Sequence, residues 1–392
     1  MVCRVFGWES SFSIVPKKDD KGKINRFTFM FSIGLHQDDI DVLYTIQKSL
    51  GIGTVRKSNN ECKFTVNDIK GIQKLIAIFD KYSLNTTKYL DYIDFKEAFN
   101  LYYSRDGIVT EKLKETILNL KNNMNTNRTN FCLPSHHGIK ITTYWLLGII
   151  EAEGSFNLLR NDLNPTFGIV LTELQLPVIV KIKEFLKENL GFDSNSIWKL
   201  EQTAGMGINI QKARGNSRSS VLFLIKNLHI LQNFLIPFFD KLVFLSKKGK
   251  DFNDFKIICR TIYYGIQRND QMKSLIIKLS FTMNNFRLSS SKEETEILTN
   301  EEMSLLKNST PLVEHLVDGR VRDINSKVIR HQSCSCIYII TTPVGETSRV
   351  LSLKESANLI GVNIKTLSKH LDDKNEITLK DYVVKRVRVY YK

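Results

Sequence analysis

The residues best placed to do chemistry lie in Trp145-Leu-Leu-Gly-Ile-Ile-Glu-Ala-Glu-Gly-Ser-Phe156. An apolar run leads into Glu151-Ala152-Glu153-Gly154, and a strand-like stretch follows to Arg160. The pattern predicts a buried helix whose last turn carries two carboxylates and which stops at a glycine. Acids at a helix C-terminus oppose the macrodipole. A carboxylate kept at so unfavourable a place, in a basic chain, points to a cation ligand rather than a solvated face. An apolar helix that ends in Glu and Gly is also an ordinary structural feature, so the reading needs a second observation.

A repeat supplies it. Phe6-Gly-Trp-Glu-Ser-Ser-Phe-Ser-Ile14, set beside Ile150-Glu-Ala-Glu-Gly-Ser-Phe-Asn-Leu158, puts Glu9 on Glu153 and Phe12 on Phe156. Phe31-Ser-Ile-Gly-Leu-His-Gln37 then falls opposite Phe167-Gly-Ile-Val-Leu-Thr-Glu173, and each leads into an amphipathic helix. Further on, Phe79-Asp-Lys through Phe95 matches Phe239-Asp-Lys through Phe255 without a gap, with Lys88 on Lys248. Ordered matches at three places predict two copies of one α/β unit. Their limits are 1–121 and 140–289, joined by a polar linker over 122–139 that holds Asn-Thr-Asn-Arg-Thr-Asn. Each copy reads helix, strand, turn, strand, helix, strand pair, helix, helix. Arg26–Ile33 and Glu61–Val66 alternate as half-buried strands do, and Lys17–Lys23 reads as a basic hairpin tip.

A chain of 392 residues has room for two or three domains. Its 56 Lys and Arg against 41 Asp and Glu leave a net charge of +15, an excess that suits a phosphate backbone. No basic amphipathic helix argues for a membrane surface. The six cysteines lack zinc-finger spacing, and Cys334-Ser-Cys336 has no second pair, so free thiols in a reducing compartment are expected. No secretory leader pattern opens the chain, and the most apolar region, Val221–Leu245, is broken by Lys226, Asn227, His229 and Asp240. The abundance of Asn, Lys and Ile suits an AT-rich gene such as a mitochondrial one, whose product needs no targeting peptide.

Leu146–Gly154 resembles the signature helix of the LAGLIDADG homing endonucleases, with Glu for Asp at both acidic positions. Gly34-Leu-His-Gln37, Leu50-Gly-Ile-Gly-Thr54, Phe79-Asp-Lys-Tyr82 and Ser280-Phe-Thr-Met-Asn-Asn-Phe-Arg-Leu288 extend the likeness to its single-chain, two-repeat branch over residues 1–289. The resemblance implies an α+β fold: a saddle of antiparallel sheets built from two pseudo-symmetric units, with the signature helices side by side at the seam. It implies that Glu9 and Glu153 bind the catalytic divalent metal, Mg²⁺ or Mn²⁺. Two carboxylates brought together repel unless a cation lies between them. It also implies catalytic lysines at Lys88 and Lys248, with Lys247 as a rival to the second. The reaction would be hydrolysis of both strands of a long, asymmetric DNA site by a monomer. Expected nucleic-acid contacts are Lys17, Arg26, Lys57, Arg160 and Lys199, although a one-residue slip exchanges the faces of a strand. The first signature is poor. Arg4 and Ser10 stand where small glycines belong, Trp8 replaces a small residue, and Gly7 replaces the first acid. Weakened or lost cleavage, with a maturase role in splicing group I intron RNA, is therefore the alternative.

Beyond a stretch over 290–335 that gives little pattern, residues 336–392 read as a separate module. Ile337-Tyr-Ile-Ile-Thr341 is a strand, Ser352 with Glu355 opens a helix, Gly361 ends it, and Val362–Leu371 starts another. This is a helix-turn-helix pattern, and it resembles the nuclease-associated modular domain appended to intron-encoded endonucleases. Asn363, Lys365, Thr366 and Lys369 are the expected groove contacts, with Leu353, Ala357, Ile360, Ile364, Leu367 and Leu371 as core.

Overall fold

A computed structural model describes residues 10–192, 205–213, 215, 218–291, 296–316, 321–330, 335–350, 352–371 and 374–389. Glu9, Lys199 and the whole first signature lie outside the described residues. The first unit comprises β1 (Ser10–Lys18), β2 (Ile24–His36), α1 (Ile40–Leu50), β3 (Thr54–Ser58), β4 (Glu61–Val66), α2 (Ile69–Lys81), α3 (Lys88–Tyr103) and α4 (Glu111–Asn122). The second repeats the order: α5 (Thr143–Glu153), β5 (Gly154–Leu159), β6 (Asn164–Thr172), α6 (Leu176–Asn189), β7 (Met206–Gln211) and β8 (Ser220–Ile225). A helical stretch over residues 228–239 (α7), α8 (Lys248–Tyr263) and α9 (Asp270–Ser280) complete it.

Both sheets are antiparallel and four-stranded, ordered β1-β2-β4-β3 and β5-β6-β8-β7. Alternation along the strands explains why each sheet has one dry face. Phe12, Ile14, Phe29, Phe31, Cys62, Phe64 and Val66 are buried under the helices, while the residues between them are half-buried or exposed. The first hairpin turns on Asp19, whose carboxylate accepts from Lys21 N at 3.0 Å and Lys23 N at 2.9 Å. Helix α1 ends at Gly51, which takes φ +64°, a conformation that costs glycine little. The cores are built from equivalent rings. Phe12 meets Phe31 at 5.1 Å and Phe95 at 5.3 Å, and Phe156 meets Phe167 at 5.3 Å and Phe255 at 5.2 Å.

Equivalent polar clamps fasten the two units. Arg128 Nε lies 3.0 Å from Asp91 and its second amine pairs with Asp94. Arg287 Nε lies 2.7 Å from Asp251 and its second amine pairs with Asp254. Beside each arginine an asparagine with positive φ, Asn125 at +55° and Asn284 at +57°, turns the chain. Their amides donate to the carbonyls of Phe12 and Phe156, both at 2.9 Å. On the outer surface Lys96 pairs with Asp80 at 2.7 Å and Lys256 with Asp240 at 2.6 Å.

Two stretches read as connectors from sequence are packed. Residues 122–128, expected in the linker over 122–139, belong with the first core, where Met124 is buried and Arg128 closes its clamp. Polar composition concealed this because the anchoring atoms are themselves polar. Within 290–335, α10 (Asn300–Asn308) opens with a Thr299–Glu302 capping box and buries Leu306 in the second core. A small sheet, ordered β11-β10-β9, follows it: β9 (Val313–His315), β10 (Val321–Asp323) and β11 (Ile329–Arg330). Leu312 N donates to Tyr264 O at 3.0 Å, tying this sheet to the end of α8.

The C-terminal module has the expected helix pair, α11 (Leu353–Ile360) and α12 (Ile364–Leu371), turning at Gly361 with φ +69°. It also has a sheet that helix periodicity could not reveal, ordered β13-β12-β15-β14: β12 (Ser335–Thr341), β13 (Thr347–Val350), β14 (Glu376–Leu379) and β15 (Tyr382–Val389). Ala357, Ile360, Leu367 and Leu371 are buried against it. Ile364, expected in the core, is exposed: it shares a helix face with Leu367 and Leu371 but sits at the very start of the helix, one turn before the first buried residue.

Removing one partner of a buried ion pair strands the other charge. Arg287→Ala should therefore lower unfolding free energy by about 3–5 kcal/mol in a urea titration. A loss below ~1 kcal/mol, the scale of a surface pair, would mean that the clamp carries no weight.

Candidate active site

Glu153 is the last residue of α5, and Gly154 begins β5 directly after it. A Cβ on Gly154 would lie 2.6 Å from the Ile150 carbonyl, so the helix-to-strand step needs the bare backbone. Glu151, one turn-face away, has a structural role. Its Oε1 accepts from Ser246 N at 3.0 Å and from Leu245 N, fixing the loop that leads into α8.

Lys248 is the first residue of α8, at the same place as Lys88 at the start of α3. Burial pushes the Lys248 ammonium below the ordinary lysine range, against the opposing pull of Asp251 at 3.9 Å, Asp39 and Glu153. The lysine at the end of the second signature thus stands within electrostatic reach of its acid. Lys88 donates from Nζ to the Ser10 carbonyl, the residue that follows Glu9 in the chain. The rival Lys247 is committed elsewhere. Its Nζ is 2.5 Å from Asp38, and its backbone N–H donates to Asp39 at 2.8 Å.

These contacts are part of the seam between the units. Burial alone would raise the Asp38 carboxyl. Lys247 and two hydrogen bonds from Ser289 more than offset it and hold Asp38 well below the usual carboxylate range. At the equivalent place across the seam, Gln175 donates to Thr87 Oγ1 at 2.7 Å. There the two units leave a cleft of about 910 Å³, lined by Lys88, Thr87, Arg128, Glu173 and Arg218.

The donor chemistry at Glu153 suits a hard divalent cation. It offers carboxylate oxygen, and no group of three His, Cys, Asp or Glu forms a closed cage among the described residues. An ion that keeps several waters and takes phosphate oxygens asks for only one or two protein carboxylates.

The sheet faces place the residues expected to contact nucleic acid. Lys17 and Arg26 are exposed and directly opposite each other on the helix-free face. Lys57 pairs in register with buried Cys62 and so belongs to the helix-covered side. Arg56, paired with Lys63, holds the open face instead. Arg160 is drawn to the helical side, where Nε donates to Ser280 Oγ at 2.9 Å and the guanidinium lies 3.5 Å from the Phe281 ring centre. In the C-terminal module Asn363, Lys365, Thr366 and Lys369 are all exposed, and Asn363 Oδ1 accepts from Lys365 N at 2.9 Å. The clamp arginines escaped sequence reading. Their signal is Met-Asn-x-x-Arg, present at Met124–Arg128 and again at Met283–Arg287.

The family model for LAGLIDADG endonuclease matches residues 8–99 and 146–259. "Probable intron-encoded endonuclease 3" of Neurospora crassa is 27% identical over 264 residues, 63% of this chain and 47% of that protein. "Probable intron-encoded endonuclease Cox1-I1b" of Schizosaccharomyces pombe is 30% identical over 55% of both chains. "Uncharacterized mitochondrial protein RF1" of Saccharomyces cerevisiae is 23% identical over 66% of this chain and 55% of that one. The chain thus spans about half the length of these curated relatives. Among solved structures, the LAGLIDADG homing endonuclease I-GzeII in complex with its DNA target superposes with a TM-score of 0.62. It shares 23% identity, over 73% of this chain and 98% of that one. I-SmaMI bound to cleaved DNA gives 0.60 at 20% identity, over 73% and 97%.

The two acids of the second signature should separate by experiment. Glu151→Ala leaves two backbone N–H groups without their acceptor and should cost about 1–3 kcal/mol, visible as a lower melting temperature. Glu153→Gln should melt like the wild type. Equal effects of the two substitutions would refute this division of roles.

Proposed function

The chain belongs to the LAGLIDADG endonuclease family, and from that premise we propose that it is an intron-encoded, site-specific endonuclease of double-stranded DNA that works with a divalent metal. The observation that carries the reading is the placing of Lys248, half-buried at the start of α8, within electrostatic reach of Glu153 at the end of the second signature helix. Lys88 occupies the equivalent helix start in the other unit. One signature acid in the sequence of each unit, with a lysine at the equivalent helix start, matches a reaction on two strands.

Glu153 and Glu9 would hold Mg²⁺ or Mn²⁺, which supplies Lewis acidity and a more acidic bound water. The residues of the chain do the rest. Lys248 places a poorly solvated positive charge where charge grows on a phosphate, and such a charge acts more strongly in a dry site than in water. Lys88, steered by the Ser10 carbonyl, does the same for the other strand. Glu151 keeps Leu245 and Ser246 in place, so that Lys248 does not drift. Lys17, Arg26, Arg56 and Lys63 lay one sheet along the major groove. The C-terminal helix-turn-helix, through Asn363, Lys365, Thr366 and Lys369, lengthens the contact. The protein acts as a monomer, since both half-sites are met by one chain. Its place is the mitochondrion, the compartment in the name of its relative "Uncharacterized mitochondrial protein RF1" of Saccharomyces cerevisiae.

Incubation with a plasmid carrying the intronless target and Mg²⁺ should give linear product, and Glu153→Gln should abolish it. If the wild type neither nicks nor cuts, or cuts no better than Glu153→Gln, the proposal falls. Lys248→Met should slow cleavage about 10²–10³-fold while gel-shift affinity holds.

A further inference from the structure

The two sheets share one strand order and one register, so each open-face position in the first unit has a counterpart in the second. On the first sheet, one row across three strands is Gly34, Lys63 and Arg56. On the second, the same row is Val170, Leu222 and Asn209. A glycine and two cations in one half thus stand where the other half has two aliphatic side chains and an amide. The contrast extends beyond the row. The open face of the first sheet carries Lys17, Arg26, Arg56 and Lys63 against one carboxylate, Glu61. No residue on the open face of β5–β8 is charged. Arg160, just past the end of β5, is held on the other side by Ser280 and Phe281.

The aliphatic side chains form a patch. A Cβ built on Gly168 would lie 3.4 Å from Leu222 Cδ1 and 3.5 Å from Leu224 Cδ1, so both leucines lean over the bare backbone between them. Val170, directly across from Leu222, is 42% exposed, and the helices do not cover it. An uncovered patch on a face that otherwise meets a polyanion needs an apolar partner there. The thymine methyl is the apolar feature on base edges in the major groove. An amide beside it fits adenine N6 and N7, while arginine fits guanine O6 and N7.

We propose that the two halves read equivalent positions by different chemistry: Arg56 and Lys63 select guanine in one half-site, and Val170, Leu222 and Asn209 select a run of A·T pairs in the other. This rests on the DNA-binding reading above and deepens it. The test is selection of bound sequences from a pool of random duplex DNA by the full chain, in Ca²⁺ so that bound duplexes are not cut. Wild type should recover sites with guanine in one half and only A·T pairs at the matching distance in the other. Arg56→Ala should relax the guanine half alone, and Leu222→Ala the A·T half alone. Uracil for thymine in the A·T half should weaken binding about fourfold per contacted methyl, and the same exchange in the other half should leave it unchanged. Recovered sites with matching bases in both halves, or a uracil exchange without effect, overturn this inference and leave DNA binding standing. Recovery of no preferred duplex overturns the DNA-binding reading itself.

Discussion

One half-buried arginine in each half ties together the elements that carry the proposed site. Arg128 and Arg287 each bridge two aspartates on the helix that begins with Lys88 or Lys248. The asparagine three residues earlier binds the carbonyl of the phenylalanine in the strand that follows each signature acid. The lysine helix and the strand that follows the acid are thereby joined through polar bonds. Electrostatic catalysis requires groups that need not reorganise during the reaction, and supporting hydrogen bonds are what hold such groups. Burying Asp91 and Asp251 and half-burying Asp94 and Asp254 is costly, and the arginines offset that cost only while both partners are present.

The seam is less symmetric than the units. On one side Asp38 gathers Lys247 and Ser289, and Asp39 accepts from the Lys247 backbone, closing the contact. On the other, Gln175 to Thr87 is a single neutral hydrogen bond beside an open cleft. Charged contacts of this kind gain strength from burial. The two units thus share the internal clamps that fasten each fold and differ at the surfaces where they meet each other and on their open faces. The apolar row on the second sheet and the cationic row on the first are a further case of that divergence.

Much of this was legible in sequence. The repeat, the signature acid Glu153, the paired lysines at 88 and 248, and the helix pair near Gly361 all stand out because they are local or recur at fixed spacing. The misreadings have a common cause. Lys57 and Arg160 are basic residues on strands, and composition marks them as contacts with phosphate. Their side chains belong to the helical side, and the open face carries Arg56 and Lys63 instead. Residues 122–128 look like a linker because Asn and Arg are polar, yet polar atoms are what a buried clamp needs.

By itself the amino-acid order determined the duplication, the alternation of the strands, the basic charge and the residue types that carry the chemistry. Those properties are periodic or local, and each survives without knowledge of any distant partner. Tertiary structure alone decided which face of each sheet is covered, that Lys248 rather than Lys247 stands by Glu153, and that Glu151 fixes a loop. Alternation groups residues onto a common face without saying which face the helices will cover. That choice comes from contacts between residues far apart in the chain, such as Arg287 with Asp251 and Asn125 with Phe12.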